Sequence, residues 1–207
     1  MAAKIDVPTV EAEAEAAWRR HAFEAVANIV FRDYGQEIYT FILANRRGHT
    51  WSADEVFSTF SEDLWRSLPQ FEWRCSLRAW CYRLARSASV RFGRSPHNRA
   101  ARRAPISVGA LAEEIAAQVR TETGVHLQTE VKDMVRELRE KLKPQDRDLL
   151  ILRVDRDLPW RDVAIALAPM DALLDEASLT RLEMATRQRF TEVKKRLRKL
   201  AEDAGLL

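Results

Sequence analysis

The sequence predicts an all-α protein of two small helical domains joined by a linker. Three observations carry that expectation. Apolar residues recur every three or four positions over several long segments, and the strict alternation of a half-buried strand is nowhere sustained. Only six glycines and seven prolines occur in 207 residues, of which 46% are apolar and 31% charged, a composition close to that of a soluble helical protein. One breaker-rich stretch, Gly93 to Pro105, has no repeating apolar face and reads as a linker. The expected division is 1–95, a basic linker with a short helix over 96–125, and 126–207.

The first periodic segment runs from about Glu11 to Ala44 through Trp18, Phe23, Val26, Ile29, Val30, Ile38, Phe41 and Ile42, with Gly35 expected to break or bend it. A second helix is predicted over Ser52–Leu68. Ser52 is the N-cap, Glu55 completes a capping box, Pro69 stops the helix, and Val56, Phe57, Phe60, Leu64 and Leu68 form its stripe. The third opens near Ser76 and continues to about Arg91, with Leu77, Cys81, Leu84 and Ala88 along one face. That spacing sends Arg83 and Arg86 elsewhere, together with Trp80 or Tyr82.

Beyond the linker, Val108, Leu111, Ala112, Ile115 and Val119 predict a short amphipathic helix. The second domain is expected to carry helices at Val131–Leu142, Asp146–Val154, Trp160–Ala168 and Ser178–Ala204. In the last, Leu182, Thr186, Phe190, Val193, Leu197 and Leu200 form the apolar stripe. Arg181, Arg187, Arg189, Lys194, Lys195, Arg196, Arg198 and Lys199 occupy the other faces. A short helix, a turn and a longer basic helix make a helix-turn-helix. The connection, Pro169 to Thr180, is longer than the usual three or four residues, and Leu173, Leu174 and Leu179 suggest an extra helical turn within it.

The net charge of +3 says little, but its distribution says more. Residues 1–103 hold 16 basic and 12 acidic side chains, the remainder 18 and 19, so the basicity is local. From Arg74 to Arg103 there are nine arginines and no aspartate or glutamate, threaded with Trp80, Tyr82 and Phe92 and preceded by Phe71 and Trp73. Cations interleaved with ring faces suit single-stranded nucleic acid, where phosphates are neutralised and bases stack. The bland alternative is a solvated face. Against it, solvated helices normally alternate sign, because like charges at helical neighbours repel, and an external polyanion would relieve that repulsion here. Trp80 and Tyr82 have a core alternative as well; Trp73, in the loop after Pro69, is the best candidate for exposure.

Catalysis finds no support. His21, His49, His97 and His126 are scattered, no phosphate-binding glycine loop or nucleophile elbow occurs, and acidic pairs such as Asp54 with Glu55 read as helix charge. Cys75 and Cys81 have no second pair to complete a zinc site and are expected as buried or half-buried thiols. No cofactor, metal or enzymatic activity is therefore expected. Without a leader-like N-terminus or a stretch of roughly 18 apolar residues, the expectation is a cytoplasmic protein that does not insert into membranes.

Two segments resemble a specific family. Ala53-Asp54-Glu55-Val56-Phe57 to Leu64-Trp65-Arg66, then Leu68-Pro69-Gln70-Phe71, then Cys75-Ser76-Leu77-Arg78-Ala79-Trp80-Cys81-Tyr82-Arg83-Leu84-Ala85-Arg86, are similar to region 2 of bacterial sigma factors of the extracytoplasmic-function type. Leu142 to Ala168, with Pro144, Asp146, Arg147, Leu149 to Leu152, Trp160 and Val163-Ala164, then Arg189-Phe190 and Lys194-Lys195-Arg196-Leu197-Arg198, resembles region 4. The resemblance implies a bacterial promoter-recognition subunit whose partners are RNA polymerase core and promoter DNA, with an anti-sigma protein as a further possible regulator.

By position, the resemblance assigns Asp54, Glu55, Phe57, Glu62 and Asp63 to polymerase binding. It assigns Phe71, Trp73, Arg74, Arg78, Trp80, Tyr82, Arg83 and Arg86 to the melted minus-ten strand; Glu72 shares the loop that in relatives holds a flipped base. Arg181, Arg187, Gln188 and Arg189 fall where a recognition helix would read the minus-thirty-five duplex, with Lys194, Lys195, Arg196 and Arg198 further along it as phosphate or polymerase contacts. Two other readings stay open: a stand-alone helix-turn-helix regulator, and a helical adaptor docking on an acidic protein.

Overall fold

The computed structural model describes residues 7–45, 52–94, 137–172 and 174–206. Every regular element among them is helical. The helices fall into two compact units, one within Met1–Gly124 and the other within Val125–Leu207. The 108–119 segment and most of the expected linker lie outside the described residues. None of the described helices is long and apolar enough to cross a membrane.

In the first unit, α1 (Val7–Arg19) buries Val10, Ala14 and Ala17, a helical stripe of small side chains that lets it pack closely on α2 (Phe23–Asn45). The break between them lies at Arg20–Ala22, not at Gly35. The Ala22 amide donates to the Ala17 carbonyl and the His21 amide to Trp18, while His21 takes φ 58°, so the helix closes with a left-handed residue that is not glycine. Gly35 instead sits buried inside α2. The roughly 1 kcal/mol that a mid-helix glycine costs is small against the apolar area this helix buries through Val30, Phe31, Ile38, Phe41 and Ile42.

Helix α3 (Ala53–Ser67) begins as its sequence predicts. The Ser52 side chain accepts from the Asp54 amide, and the Glu55 carboxylate accepts from the Ser52 amide at 3.0 Å. Val56, Phe57, Phe60, Leu64 and Leu68 are all buried. A 3-10 turn, Leu68–Gln70, then leads into the loop before α4 (Leu77–Arg94). Helix α4 packs between α2 and α3, burying Leu77, Cys81, Leu84 and Ala88 as their spacing requires, but also Ala79, Tyr82, Arg83 and Ala85.

Among the described residues of the second unit, a helical turn at 137–140 is followed by α5 (Pro144–Leu150), which continues into a π-helical turn over Ile151–Asp155; the start of the expected Val131–Leu142 helix lies outside the described residues. Helix α6 (Trp160–Leu167) starts at Pro159 without a side-chain cap, and α7 (Glu176–Asp203) is the longest element. Leu149, Leu152, Leu158, Val163, Ile165, Leu179 and Val193 form the core on which α5, α6 and α7 meet. The connection between α6 and α7 is shorter than the sequence suggests. Asp175 accepts from the Ser178 amide at 2.7 Å and starts the helix at Glu176, so Leu179 belongs to α7 and not to an insertion.

Candidate nucleic-acid interface

Helix α4 starts where three acceptors converge. Ser76 Oγ takes the Ala79 amide at 3.1 Å, and the Glu11 carboxylate, from α1, takes the amides of Leu77 and Arg78 at 2.7 and 2.9 Å. An anion at a helix N-terminus satisfies orphan amides and complements the dipole. Tyr34 donates to the same carboxylate at 3.1 Å, and burial together with Glu11 raises the pKa of that phenol.

This polar network extends to Arg78, which the resemblance assigns to the melted strand. Arg78 Nε and Nη2 donate to the two oxygens of Glu37 at 2.7 and 2.8 Å, and both side chains are nearly sealed from water. Burial pulls the guanidinium pKa down, but the hydrogen bonds and charge of Glu37 outweigh it and the pKa is raised. Arg78 is thus a structural cation. Arg83 is only 4% exposed, its guanidinium 5.7 Å from the centre of the Trp80 ring, and Tyr82 is fully buried edge-on against Phe41. Arg74 pairs with Glu72, and Arg91 pairs with Asp63 of α3. Among the described residues, carboxylates of this chain from the loop, α2 and α3 thus relieve the expected charge repulsion at Arg74, Arg78 and Arg91.

The aromatic residues are likewise drawn inward. Phe71 is buried, with Trp73 and Trp80 at ring separations of 5.0 and 5.4 Å. Trp73 is half-buried, in the left-handed region at φ 52°, and meets Trp18 edge-on at 6.4 Å. Trp18 in turn donates its indole N–H to the Leu68 carbonyl at 2.7 Å. The expectation of an exposed Trp73 is corrected: its ring joins a cluster that ties α1 to the loop before α4. Of the eight residues assigned to the melted strand, Arg74 is exposed and Arg78, Trp73, Trp80 and Arg86 are half-buried, whereas Phe71, Tyr82 and Arg83 are buried.

The residues assigned to polymerase binding separate in the same way. Phe57 is buried among Phe31, Tyr39 and Phe60 and belongs to the core. Asp54 accepts from the Tyr39 hydroxyl at 2.7 Å, Glu55 is the capping-box acid, Glu62 pairs with Arg66, and Asp63 pairs with Arg91. Asp54 and Glu55 remain exposed at the start of α3, while Glu62 and Asp63 are half-buried.

Among the described residues helix α7 carries more exposed cations than α4, two of them in surface pairs with acids of the same helix, Lys195 with Glu192 and Arg198 with Glu202. From Arg187 to Lys199 it carries seven cations and one acid, Glu192. Leu179, Thr186 and Val193 turn inward, while Arg181, Arg187, Gln188, Lys194, Lys195, Arg198 and Lys199 are exposed. Asp146 of α5, a buried carboxylate that the sequence did not single out as an anchor, holds Arg189 at 2.7 Å and Arg196 at 3.0 Å; Gln145 also accepts from Arg189. Arg187 pairs with Glu183 and lies 5.3 Å from the centre of the Trp160 ring, which Arg153 also approaches at 5.1 Å. Arg187 and Arg189, expected as base readers, are thus engaged within the unit. Their signal was visible only as charge, because their partners lie in other elements or on the preceding turn.

No group of three or more histidine, cysteine or acidic side chains among the described residues could hold a metal ion. Comparisons of the chain with protein-family models, with curated proteins and with solved structures found no match.

Proposed function

We propose that the chain binds duplex DNA through α7 and acts as a promoter-recognition subunit of bacterial RNA polymerase, similar to sigma factors of the extracytoplasmic-function type. The observation that carries the duplex reading is the exposed cation row of α7, Lys194, Lys195, Arg198 and Lys199, on a helix anchored from behind by Leu179, Thr186 and Val193. Such a row meets phosphates on a duplex without needing Arg189 and Arg196 to leave Asp146. In this reading α6 and α7 serve as the helix-turn-helix, with α7 in the major groove. The polymerase part rests on the Ser-Leu-x-x-Trp-x-Tyr-Arg order of α4 and the Leu-Pro-x-Phe turn before it. The burial of Tyr82 and Arg83 supports a revised role for that signature, as the core of the unit and not as its contact surface.

A second reading, a stand-alone helix-turn-helix regulator, is favoured by the same burial, since the first unit then needs no single-strand surface. Run-off transcription with bacterial polymerase core and a library of randomised promoters separates the two. Transcripts that depend on the chain support the polymerase reading. Absence of such transcripts, with a specific duplex shifted by the chain alone, supports the regulator.

A further inference from the structure

Helix α7 is exposed over most of its circumference, and the strip opposite its buried residues runs along its whole working length. Residues 181, 184, 188, 191 and 195 follow each other at three or four positions, and all five are exposed. At 1.5 Å per residue the strip runs about 21 Å, enough to lie along roughly six base pairs. Its ends are cationic, Arg181 and Lys195, and its centre is uncharged.

The central residues differ in what they have left to offer. Thr191 spends its hydroxyl on the Arg187 carbonyl at 3.3 Å. Met184 is 67% exposed, more than any other large apolar side chain among the described residues, and Gln188 stands one turn further on. Neither has a side-chain partner among the described residues. The charged neighbours that could have competed for base edges are held away: Arg187 by Glu183, and Arg189 by Asp146 and Gln145.

We propose that Met184 and Gln188 are the base-reading pair of α7 and that they select A·T pairs, an inference that rests on the duplex reading above. A glutamine amide matches adenine, whose N7 accepts and N6 donates, whereas an arginine fork would match guanine. A flexible thioether chain one turn away packs on the thymine C5-methyl, removing apolar surface of both partners from water. The two side chains stand about 6 Å apart along the axis, so the bases they read lie within two base-pair steps. Charge favours this occupant over an apolar protein groove: Arg181, Lys195 and Lys199 bracket Met184 and Gln188, and the exposed acid between them, Glu192, is neutralised by its pairing with Lys195 at 3.0 Å.

The test uses the full-length chain, with and without bacterial polymerase core, to select duplexes from a randomised library. Wild type is expected to enrich an A·T pair at one or two positions, and Gln188→Ala to relax one of them by roughly 5- to 150-fold. Replacing thymine by uracil at the other position deletes only the methyl group; it should weaken wild type and leave Met184→Ala unaffected. Lys195→Ala should lower binding evenly across sequences. Enrichment by both Met184→Ala and Gln188→Ala identical to wild type would overturn the pair while leaving the duplex reading standing. Wild type that enriches nothing under either condition would overturn both.

Discussion

Arg78 and Glu37 face each other through two parallel hydrogen bonds in the interior of the first unit, 12% and 6% exposed at their side chains. Their pairing converts what reads as a nucleic-acid cation into a joint between α2 and α4. Removing one member should be costly, because the other is left charged and buried. Glu37→Ala is expected to lower stability by about 3–5 kcal/mol, and Arg78→Met with Glu37→Leu to recover most of that loss. Urea unfolding of the three proteins checks both statements.

Arg83 is as buried as the residues around it, so a charge reversal there is a stability substitution and not a probe of DNA contact. Arg83→Glu should lower the melting temperature before any binding is measured, since it places a carboxylate beside Trp80 where a guanidinium now lies over the ring. Calorimetry of the purified variant decides this.

The two thiols should separate chemically. Burial pushes the Cys81 thiol pKa well up, whereas Cys75 is half-buried near the loop. A thiolate-directed alkylating reagent at pH 8 is expected to label Cys75 in the native protein and Cys81 only after denaturation. Mass spectrometry of the labelled protein, before and after denaturation, reads the difference.

The start of α7 should respond to acid in a defined direction. The Ser178 backbone amide and side chain hold the Asp175 carboxyl below its usual pKa, and Arg161 does the same for Glu176. A depressed folded pKa means that the stabilisation is present above the unfolded value, near 4, and is lost as pH falls through the folded value. Helix content should hold from pH 7 to about 5 and fall below about pH 4. Asp175→Asn should flatten its share of that fall, measured by circular dichroism across the titration.

Local features of this fold were legible in the sequence because their causes are local. Ser52 and Glu55 are three residues apart, so the capping box announces α3, and the spacing of Leu77, Cys81, Leu84 and Ala88 gives one buried face of α4. The partners of the arginines were not legible, because Glu37 lies 41 residues from Arg78 and Asp63 lies 28 from Arg91. A count of acids between Arg74 and Arg103 cannot see carboxylates delivered by other helices. Gly35 misled for a related reason: the propensity of one residue was outweighed by the packing of a whole helix, while the break fell at His21, which carries no strong breaker signal. On α7 the cations of the outer face were legible, but the hold of Asp146 on Arg189 and Arg196, 43 and 50 residues away, was not.

The most direct measurement for the whole account is the salt dependence of duplex binding by the full-length chain, compared with a variant carrying Lys195→Ala and Lys199→Ala. If α7 neutralises phosphates, log affinity falls linearly with log salt, and the two substitutions together make the slope shallower by about 1.8, or 0.9 for each phosphate left without its lysine. A slope near zero, or one that the two substitutions leave unchanged, would contradict it.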